Sequence, residues 1–438
     1  MKKLMTIFFS MFLFIAVTFG SGFQINEHGA RAMGFAGAFT AIANDPSAIY
    51  FNPAGLVQLK GTHFSIGSTF IYPLSTFTGP TPSTTESSLK KKYFTPINFY
   101  ISHQLTNDLF VGFGVNNPFG LGTFWEHDWV GRYRTTETEI RTFNFSPVVA
   151  YKLTDCLSAS VGFTFSYSDV LIARQLQILV PTGNPSAPYL SFPDGSMEMK
   201  GDKTAFGYNA SLFYKANKSL SFGLSYKSQI KYDYKGDAVV TLDPTVPAAV
   251  KSKIPAGTIS APLTTPMVIS FGTAYKFFSC CDENYLTLGF DFQYNGWTSY
   301  EKLEVTFDEF LVNGTPYVST SVRDFQNSYI LRLGAEYVAS DNWTIRGGVL
   351  FDKNPVKDER LDPTLPDADR IGLNFGLSYK FTDRLSVDFA YLYLLFMERT
   401  ITSSEEIIPL TYPSSPTKLN GVYKINAHLI GLNLNYNL

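Results

Sequence analysis

Several stretches of this chain alternate between apolar and small polar residues for nine to twelve positions. In segment 157–168 the odd positions hold Leu, Ala, Val, Phe, Phe and Tyr, and the even positions hold only Ser, Gly and Thr. A period of two is typical of a β-strand with two unlike faces. The same pattern recurs at 219–227, 285–295, 371–381, 64–72 and 430–438.

The length of these segments separates two kinds of β protein. Strands of soluble proteins average about five or six residues, whereas a tilted membrane strand needs about 9–11. A small polar face suits a crowded barrel lumen, and an apolar face suits lipid. A soluble β-sandwich is the alternative at this point.

The connections between strands are of two lengths. Short polar turns are expected at 106–108, 154–155, 216–218, 279–284, 340–342 and 382–383, and long loops at 73–92, 119–137, 171–203, 232–265, 298–325, 352–368 and 398–424. Six turns and seven loops separate fourteen strands, and alternating short and long connections are typical of outer-membrane barrels. A sandwich does not explain this asymmetry. The sequence predicts an all-β, fourteen-stranded antiparallel transmembrane β-barrel.

The first twenty residues have the layout of a secretory signal peptide. Lys2 and Lys3 precede the apolar stretch 4–19, and small residues follow at 20–22. A transmembrane anchor is the alternative, but the stretch is short for a span and contains two Thr and one Ser. We expect cleavage after Gly20 and export of a chain that ends in the bacterial outer membrane.

Composition excludes other classes of protein. The formal net charge of −2 argues against a nucleic-acid partner. The five histidines show no His-x-x-x-His spacing, and no Gly-x-Ser-x-Gly motif occurs, so we expect no enzyme, no metal and no cofactor. Asp362, Asp367 and Asp369 are weak Ca²⁺ candidates, and acidic loop residues are usually only hydrated. Cys156 is too far from the 279–284 turn for a disulfide with its cysteines.

Residues 21–61 do not alternate and are rich in Gly and Ala. We expect the first barrel strand to begin at about residue 62, so that three parts follow one another: a signal peptide at 1–20, a plug inside the lumen at 21–61, and the barrel at 62–438. A periplasmic tail is the alternative for residues 21–61.

Five sequence landmarks resemble the FadL family of outer-membrane long-chain fatty-acid transporters, and together they extend over most of the mature chain. They are Gly-Phe-Gln-Ile-Asn-Glu at 22–27, Asn-Pro-Ala at 52–54, Asp-Trp-Val-Gly-Arg-Tyr at 128–133, Thr-Pro-Met-Val-Ile-Ser-Phe-Gly at 265–272 and Pro-Asp-Ala-Asp-Arg at 366–370. The resemblance implies an N-terminal hatch that contains Phe23 and the motif Asn52, Pro53 and Ala54. It also implies passive uptake, an apolar groove among outer loops, and sideways exit beside a kinked third strand.

In this chain the third strand is expected at 109–116. Gly112 and Gly114 permit bending, and Pro118 cannot donate a ladder hydrogen bond, so pairing should weaken there. We interpret these three residues as a lateral gate. The alternative is an ordinary proline that ends a strand.

A carboxylate headgroup requires a cation near the apolar start of the loop 171–203. Arg174, Lys200 and Lys203 are our candidates, and simple surface charges are the alternative. The stretch 246–254 in the next long loop is amphipathic enough for a helical turn or two. Lys90–Lys92, Arg132 and Arg134 are candidates for contact with lipopolysaccharide phosphates, unless they are only solvated.

The expected function is uptake of long-chain fatty acids or similar hydrophobic compounds. Uptake of aromatic hydrocarbons is a close alternative, and a water-filled diffusion porin is a more distant one. We expect hydrophobic small molecules, outer-membrane lipid and lipopolysaccharide as partners. A monomer is expected because fourteen strands close without help from a second chain.

Overall fold

In the computed structural model, residues 22–184, 186–278, 285–409 and 417–438 are described. The predicted signal peptide, the turn 279–284 and both of its cysteines lie outside these residues. The strands are β1 Thr62–Thr78, β2 Glu86–Ser88, β3 Ile97–Gln104, β4 Leu109–Asn116, β5 Gly120–Phe124, β6 Glu137–Lys152, β7 Leu157–Leu176, β8 Leu179–Asn184, β9 Ala187–Ser191, β10 Gly195–Lys215, β11 Leu220–Lys227, β12 Ile230–Thr241, β13 Gly257–Thr265, β14 Val268–Phe278, β15 Tyr285–Asn295, β16 Lys302–Val312, β17 Thr315–Val322, β18 Ser328–Val338, β19 Trp343–Asp352, β20 Arg370–Lys380, β21 Leu385–Phe396, β22 Arg399–Ile401, β23 Ile407–Ile408, β24 Thr417–Lys418 and β25 Gly421–Asn437.

These strands form a closed antiparallel barrel of fourteen barrel strands, as the sequence predicted. Closure is made by β1 and β25, which pair from His63↔Asn437 to Thr78↔Val422. Several barrel strands consist of two consecutive pieces: the third is β4 with β5, the seventh β11 with β12, and the eighth β13 with β14. Closure leaves no unpaired sheet edge in hydrocarbon, which a membrane-spanning sheet requires.

The two faces of each strand are distributed as the alternation predicts. On β7 and β10 the apolar side chains point outward, and those of Val161 and Phe206 are 65% and 60% exposed. Ser166 and Ser168 on the other face of β7 are fully buried in the lumen. Outward apolar side chains have no protein neighbour to cover them, so they are the surface that lipid contacts.

Several of the predicted long loops are shorter than expected, because the strands continue past the apolar band. The loop predicted at 171–203 is wrong in its bounds: β7 continues to Leu176 and β10 begins at Gly195. Likewise β12 and β13 occupy most of 232–265, and β16 and β17 most of 298–325. Neighbouring strands still satisfy one another's backbone groups there, but no lipid imposes an apolar outer face. The helical turn predicted within 246–254 is present as Ala248–Lys251.

Residues 22–61 lie inside the barrel. They contain the helices Ala30–Gly34 and Ala48–Phe51 and the 3-10 turn Pro53–Gln58, and further 3-10 turns lie at Trp297–Ser299 and Asp358–Arg360. Buried Phe39, Ile49, Phe51 and Leu56 form an apolar core with luminal residues of the wall. Within the described part of the chain, no helix is long and apolar enough to span a bilayer.

Candidate functional site

Residues 22–61, which we name the inner segment, are fixed to the barrel wall by the Asn-Pro-Ala motif. The buried Asn52 side chain donates from Nδ2 to the backbone oxygens of Thr40, at 2.8 Å, and Leu212, at 3.0 Å. Pro53 begins the following 3-10 turn, where a missing N–H costs nothing. The backbone of Ala54 accepts a hydrogen bond from Ser158 Oγ at 2.7 Å and donates one to Ser211 Oγ at 3.0 Å.

Phe23 lies at the top of the inner segment, among aromatic rings. Its ring centroid is 4.8 Å from that of Trp297, 5.9 Å from Phe119 and 6.0 Å from Tyr300, and all three contacts are edge-to-face. The backbone oxygen of Phe23 accepts from the amide of Gly120 at 3.0 Å. The N-terminal residues therefore contact the third barrel strand directly.

Above Phe23 is a cavity of about 150 Å³, which we name the upper cavity. Its walls are mainly apolar side chains from β6, β7, β13, β16 and their neighbours. They include Ile140, Val170, Ile172, Leu263, Leu303 and Phe307. An apolar chamber of this kind favours a hydrophobic ligand, with polar groups left to fix one end.

Three arginines line the upper cavity, and two of them are neutralised by acids. Arg134 donates from Nε to Asp362 at 2.7 Å and lies 2.6 Å from Glu406. Arg323 lies 3.2 Å from the same oxygen of Asp362. Burial alone would raise the pKa of Asp362, but Arg134 and Arg323 hold it below its ordinary value. Asp362 thus belongs to an ion-pair network, and Arg134 is not free to contact lipopolysaccharide.

Arg174 is the third arginine and differs from the other two. Its Nε is buried without a hydrogen-bond partner, and its only polar contact among the described residues joins Nη2 to Met197 Sδ at 3.8 Å. Of the other candidates, Lys200 lines the cavity but lies 2.7 Å from Glu198, and Lys203 does not line it. A buried guanidinium without an acid is costly unless an anion binds to it.

The third barrel strand is interrupted at residues 117–119, between β4 and β5. There the side chain of Asn117 replaces ladder bonds: its Oδ1 accepts from the amide of Ile97 at 2.8 Å, and its Nδ2 donates to Thr142 O at 2.6 Å. The oxygen of Pro118 accepts from the amide of Ile25 at 2.9 Å. The interruption is where the sequence predicted weak pairing.

Above the interruption, β5 pairs with β6 but not with β3. The ring of Phe94 fills the space beside β5, so that a Cβ atom on Gly122 would lie 2.1 Å from Phe94 Cζ. Gly112 and Gly114 contact the inner segment: a Cβ atom on either one would lie 2.8 Å from the side chain of Ile49. These two glycines permit close packing of the inner segment, whereas Gly122 and Phe94 form the wall itself.

Two functional candidates were missed from the sequence. Phe94 lies in a stretch expected to join a loop to a strand, and nothing local marks its contact with Gly122. Lys227 is a charged residue on the otherwise small, polar luminal face of segment 219–227, and this exception was the available signal.

A closed barrel with a lipid-facing apolar surface, a plugged lumen and an internal apolar cavity defines an outer-membrane transport protein rather than an enzyme. A model of the family described as outer membrane protein transport protein (OMPP1/FadL/TodX) matches residues 12–438. The chain belongs to this family and to the bacterial outer membrane.

Individual relatives agree with this assignment. A long-chain fatty acid transport protein of Escherichia coli O6:H1 is 25% identical over 435 residues, which cover 95% of this chain and 94% of that protein. The crystal structure of a Pseudomonas aeruginosa FadL homologue matches with a TM-score of 0.80 at 19% identity, covering 95% of this chain and 100% of that one. The Pseudomonas putida toluene transporter TodX matches with a TM-score of 0.68 at 14% identity, covering 96% and 99%. The two structures share the fold.

Proposed function

We propose that this protein carries long-chain fatty acids across the outer membrane by passive diffusion, and that Arg174 holds the carboxylate in the upper cavity. The observation that carries this proposal is Arg174, whose Nε is buried without a hydrogen-bond partner and which no acid among the described residues neutralises in a mainly apolar chamber. Each methylene group removed from water contributes about 0.8 kcal/mol, so an apolar wall retains the chain while Arg174 orients its head.

We also propose that the ligand leaves sideways between the second and third barrel strands, beside Pro118. The support is local: β5 lacks a ladder to β3, and the ring of Phe94 closes the wall there. A side chain can rotate away at far lower cost than a ladder of backbone hydrogen bonds can break in lipid. Gly112 and Gly114 are then hatch contacts adjacent to the gate rather than its moving parts.

Aromatic hydrocarbons are the second candidate substrates. The fold is shared with TodX, a toluene transporter, and Phe23, Tyr300 and Phe307 give the upper cavity an aromatic lining. Toluene has no headgroup and makes no use of Arg174. The role of Arg174 therefore separates the two candidates.

The test compares uptake of labelled oleate and of toluene by cells that produce the protein or its variant Arg174→Met. We expect the variant to lose oleate uptake and to retain toluene uptake. Arg141→Met is the matched control, because Arg141 lies on the neighbouring strand in an exposed ion pair with Asp169. Equal oleate uptake by Arg174→Met and the parent would contradict the headgroup assignment, and steady ion conductance without ligand binding would indicate a porin.

Three further expectations stay proposals. We propose division of the chain into a signal peptide at 1–20, a hatch at 21–61 and the barrel at 62–438. We propose a monomer, because β1 and β25 close the barrel within one chain. In the lysine run 90–92, Lys90 lies 3.2 Å from Glu126 and Lys92 lies over the ring of Phe124, whereas Lys91 is exposed. We therefore propose that lipopolysaccharide phosphate binds at Lys91.

A further inference from the structure

Lys227 presents an ammonium group to the lumen at the end of β11. Its Nζ lies 3.2 Å from the ring centroid of Tyr50, which belongs to the inner segment. Among the described residues it makes no ion pair. A cation on an aromatic face gains less than the removal of an ammonium from water costs. Its surroundings therefore have an unused capacity for an anion.

Lys227 lines a cavity of about 50 Å³, which we name the lower cavity. Pro118 and Phe119, at the interruption of the third barrel strand, line the same cavity. So do Asn116 and Asn209, and the Oδ1 atom of each is buried without a hydrogen-bond partner. The two amide oxygens are acceptors and offer nothing to a carboxylate, so Lys227 is the group in the lower cavity that could bind one, next to the proposed exit.

The charged and titratable groups around Lys227 do not compensate its charge. The ring of His28 packs against that of Tyr50, with the centroids 3.7 Å apart and the planes tilted by 39°. Burial, with Lys227 nearby, lowers the pKa of His28 to about 3, so His28 is neutral at neutral pH. Arg332 is a further cation and donates to Asn26 Oδ1 at 3.1 Å. The carboxylate of Asp291 accepts from the amide of Thr40 at 2.9 Å and makes no ion pair with Lys227.

We propose that Lys227 is a second binding station for the carboxylate of the substrate, between the upper cavity and the lateral exit. This inference rests on the proposed fatty-acid transport. Phe23 lines the upper cavity and its contact partner Phe119 lines the lower one, so displacement of the Phe23 ring joins the two. A headgroup that leaves Arg174 then has a second cation to bind before its chain enters lipid. Without that cation, a carboxylate that leaves Arg174 would have no charged partner at the lower end of the path.

The test measures initial uptake rates of oleate and of toluene by Lys227→Met, Lys227→Arg and the parent. Lys227→Met removes a charge-assisted hydrogen bond to the carboxylate, so we expect it to lower the oleate rate about tenfold or more. Toluene uptake and oleate binding at the upper cavity should stay unchanged, and Lys227→Arg should restore oleate uptake. Lys276→Met is the matched control, because Lys276 Nζ lies 3.2 Å from the ring of Tyr285 and lines neither cavity.

Three results would overturn the inference. Equal oleate uptake by Lys227→Met and the parent would show that the station is not used, while fatty-acid transport itself stands. Equal losses for oleate and toluene would show that Lys227 only holds the inner segment through Tyr50. Failure of the parent protein to take up oleate would contradict the proposed fatty-acid transport, and the second binding station at Lys227 would then be contradicted as well.

Discussion

The rings of Phe23 and Phe119 meet edge to face with their centroids 5.9 Å apart. One ring comes from the N-terminal residues and the other from the interruption of the third barrel strand. Because Phe23 lines the upper cavity and Phe119 the lower one, this pair is the partition between them. A residue that lines the upper cavity thus contacts the interruption of the third barrel strand directly.

Phe23→Ala should weaken oleate binding. Truncation of a buried Phe costs about 3–5 kcal/mol, and this ring contacts Trp297, Tyr300 and Phe119 as well as the upper cavity. We expect the Kd for oleate to rise at least about tenfold in fluorescence titrations of the detergent-solubilised protein. Phe206→Ala, which removes a lipid-facing ring, is the control. An unchanged Kd would show that Phe23 is not part of the binding surface.

A covalent link between the second and third barrel strands should block uptake. Phe94→Cys with Gly122→Cys places two thiols where the Phe94 ring now meets Gly122, and a short bifunctional thiol reagent joins them. We expect loss of oleate uptake after linking and recovery with a cleavable reagent. Phe99→Cys with Val115→Cys is the control, because these residues already pair in the β3–β4 ladder. Uptake that persists through the link would rule out exit at this place.

Glu336→Gln should loosen the inner segment. Glu336 accepts from Arg31 Nε at 3.0 Å and Nη2 at 3.1 Å, and from Arg346 Nε at 2.6 Å. Removal of one partner from a buried ion pair costs about 3–5 kcal/mol. We expect a lower thermal unfolding midpoint and raised single-channel conductance in planar bilayers.

Glu304→Gln makes the same chemical change in the exposed pair with Lys302, which is worth about 0–1 kcal/mol. It should leave both the unfolding midpoint and the conductance as they are. Similar behaviour of the two variants would refute an anchoring role for Glu336.

Asp367 should make attachment of the N-terminal residues sensitive to pH. Its Oδ2 accepts from the amide of Gly22 at 2.8 Å, and burial raises the pKa of this carboxyl from 3.8 to about 7. A pKa raised by folding favours the protonated form, so this contribution to stability is complete below pH 3.8 and is lost as the pH rises through about 7.

Asp367→Asn mimics the protonated carboxyl at every pH. We expect the midpoint of thermal unfolding in detergent to match the parent at pH 4 and to exceed it at pH 8. A parent protein that is more stable than Asp367→Asn at pH 8 would reverse the sign and contradict the assignment.

Much of the wall was predictable, because lipid imposes its own pattern on a strand. The third strand was expected at 109–116 and is found at Leu109–Asn116, and the turn at 106–108 separates β3 from β4 as expected. The prediction failed for the upper parts of β7 and β10. Beyond the membrane, hydrogen bonds from neighbouring strands hold a strand in place. No lipid requires one apolar face there, so the sequence shows no alternation that would predict the strand.

The candidate site divides in the same way. Arg174 was selected for its charge near an apolar stretch, but the same reasoning selected Lys203, which does not line the cavity. Only the folded chain shows that Asp362 and Glu406 neutralise Arg134 and leave Arg174 without an acid. Arg134 and Arg174 differ in their distances to acidic residues on other segments of the chain. Those distances cannot be predicted from the spacing of residues along the sequence.

The sequence by itself determined a closed, lipid-facing barrel. Alternation reflects one face toward lipid and one toward the lumen, strand length reflects the thickness of the hydrocarbon, and unpaired backbone groups there require closure. The tertiary structure decided where the interior is polar and where the wall is weak. Lys227 and Phe94 acquire their roles from Tyr50 and Gly122, which are distant in the chain. Such contacts depend on how the inner segment and the strands pack together, and packing is a property of the whole fold.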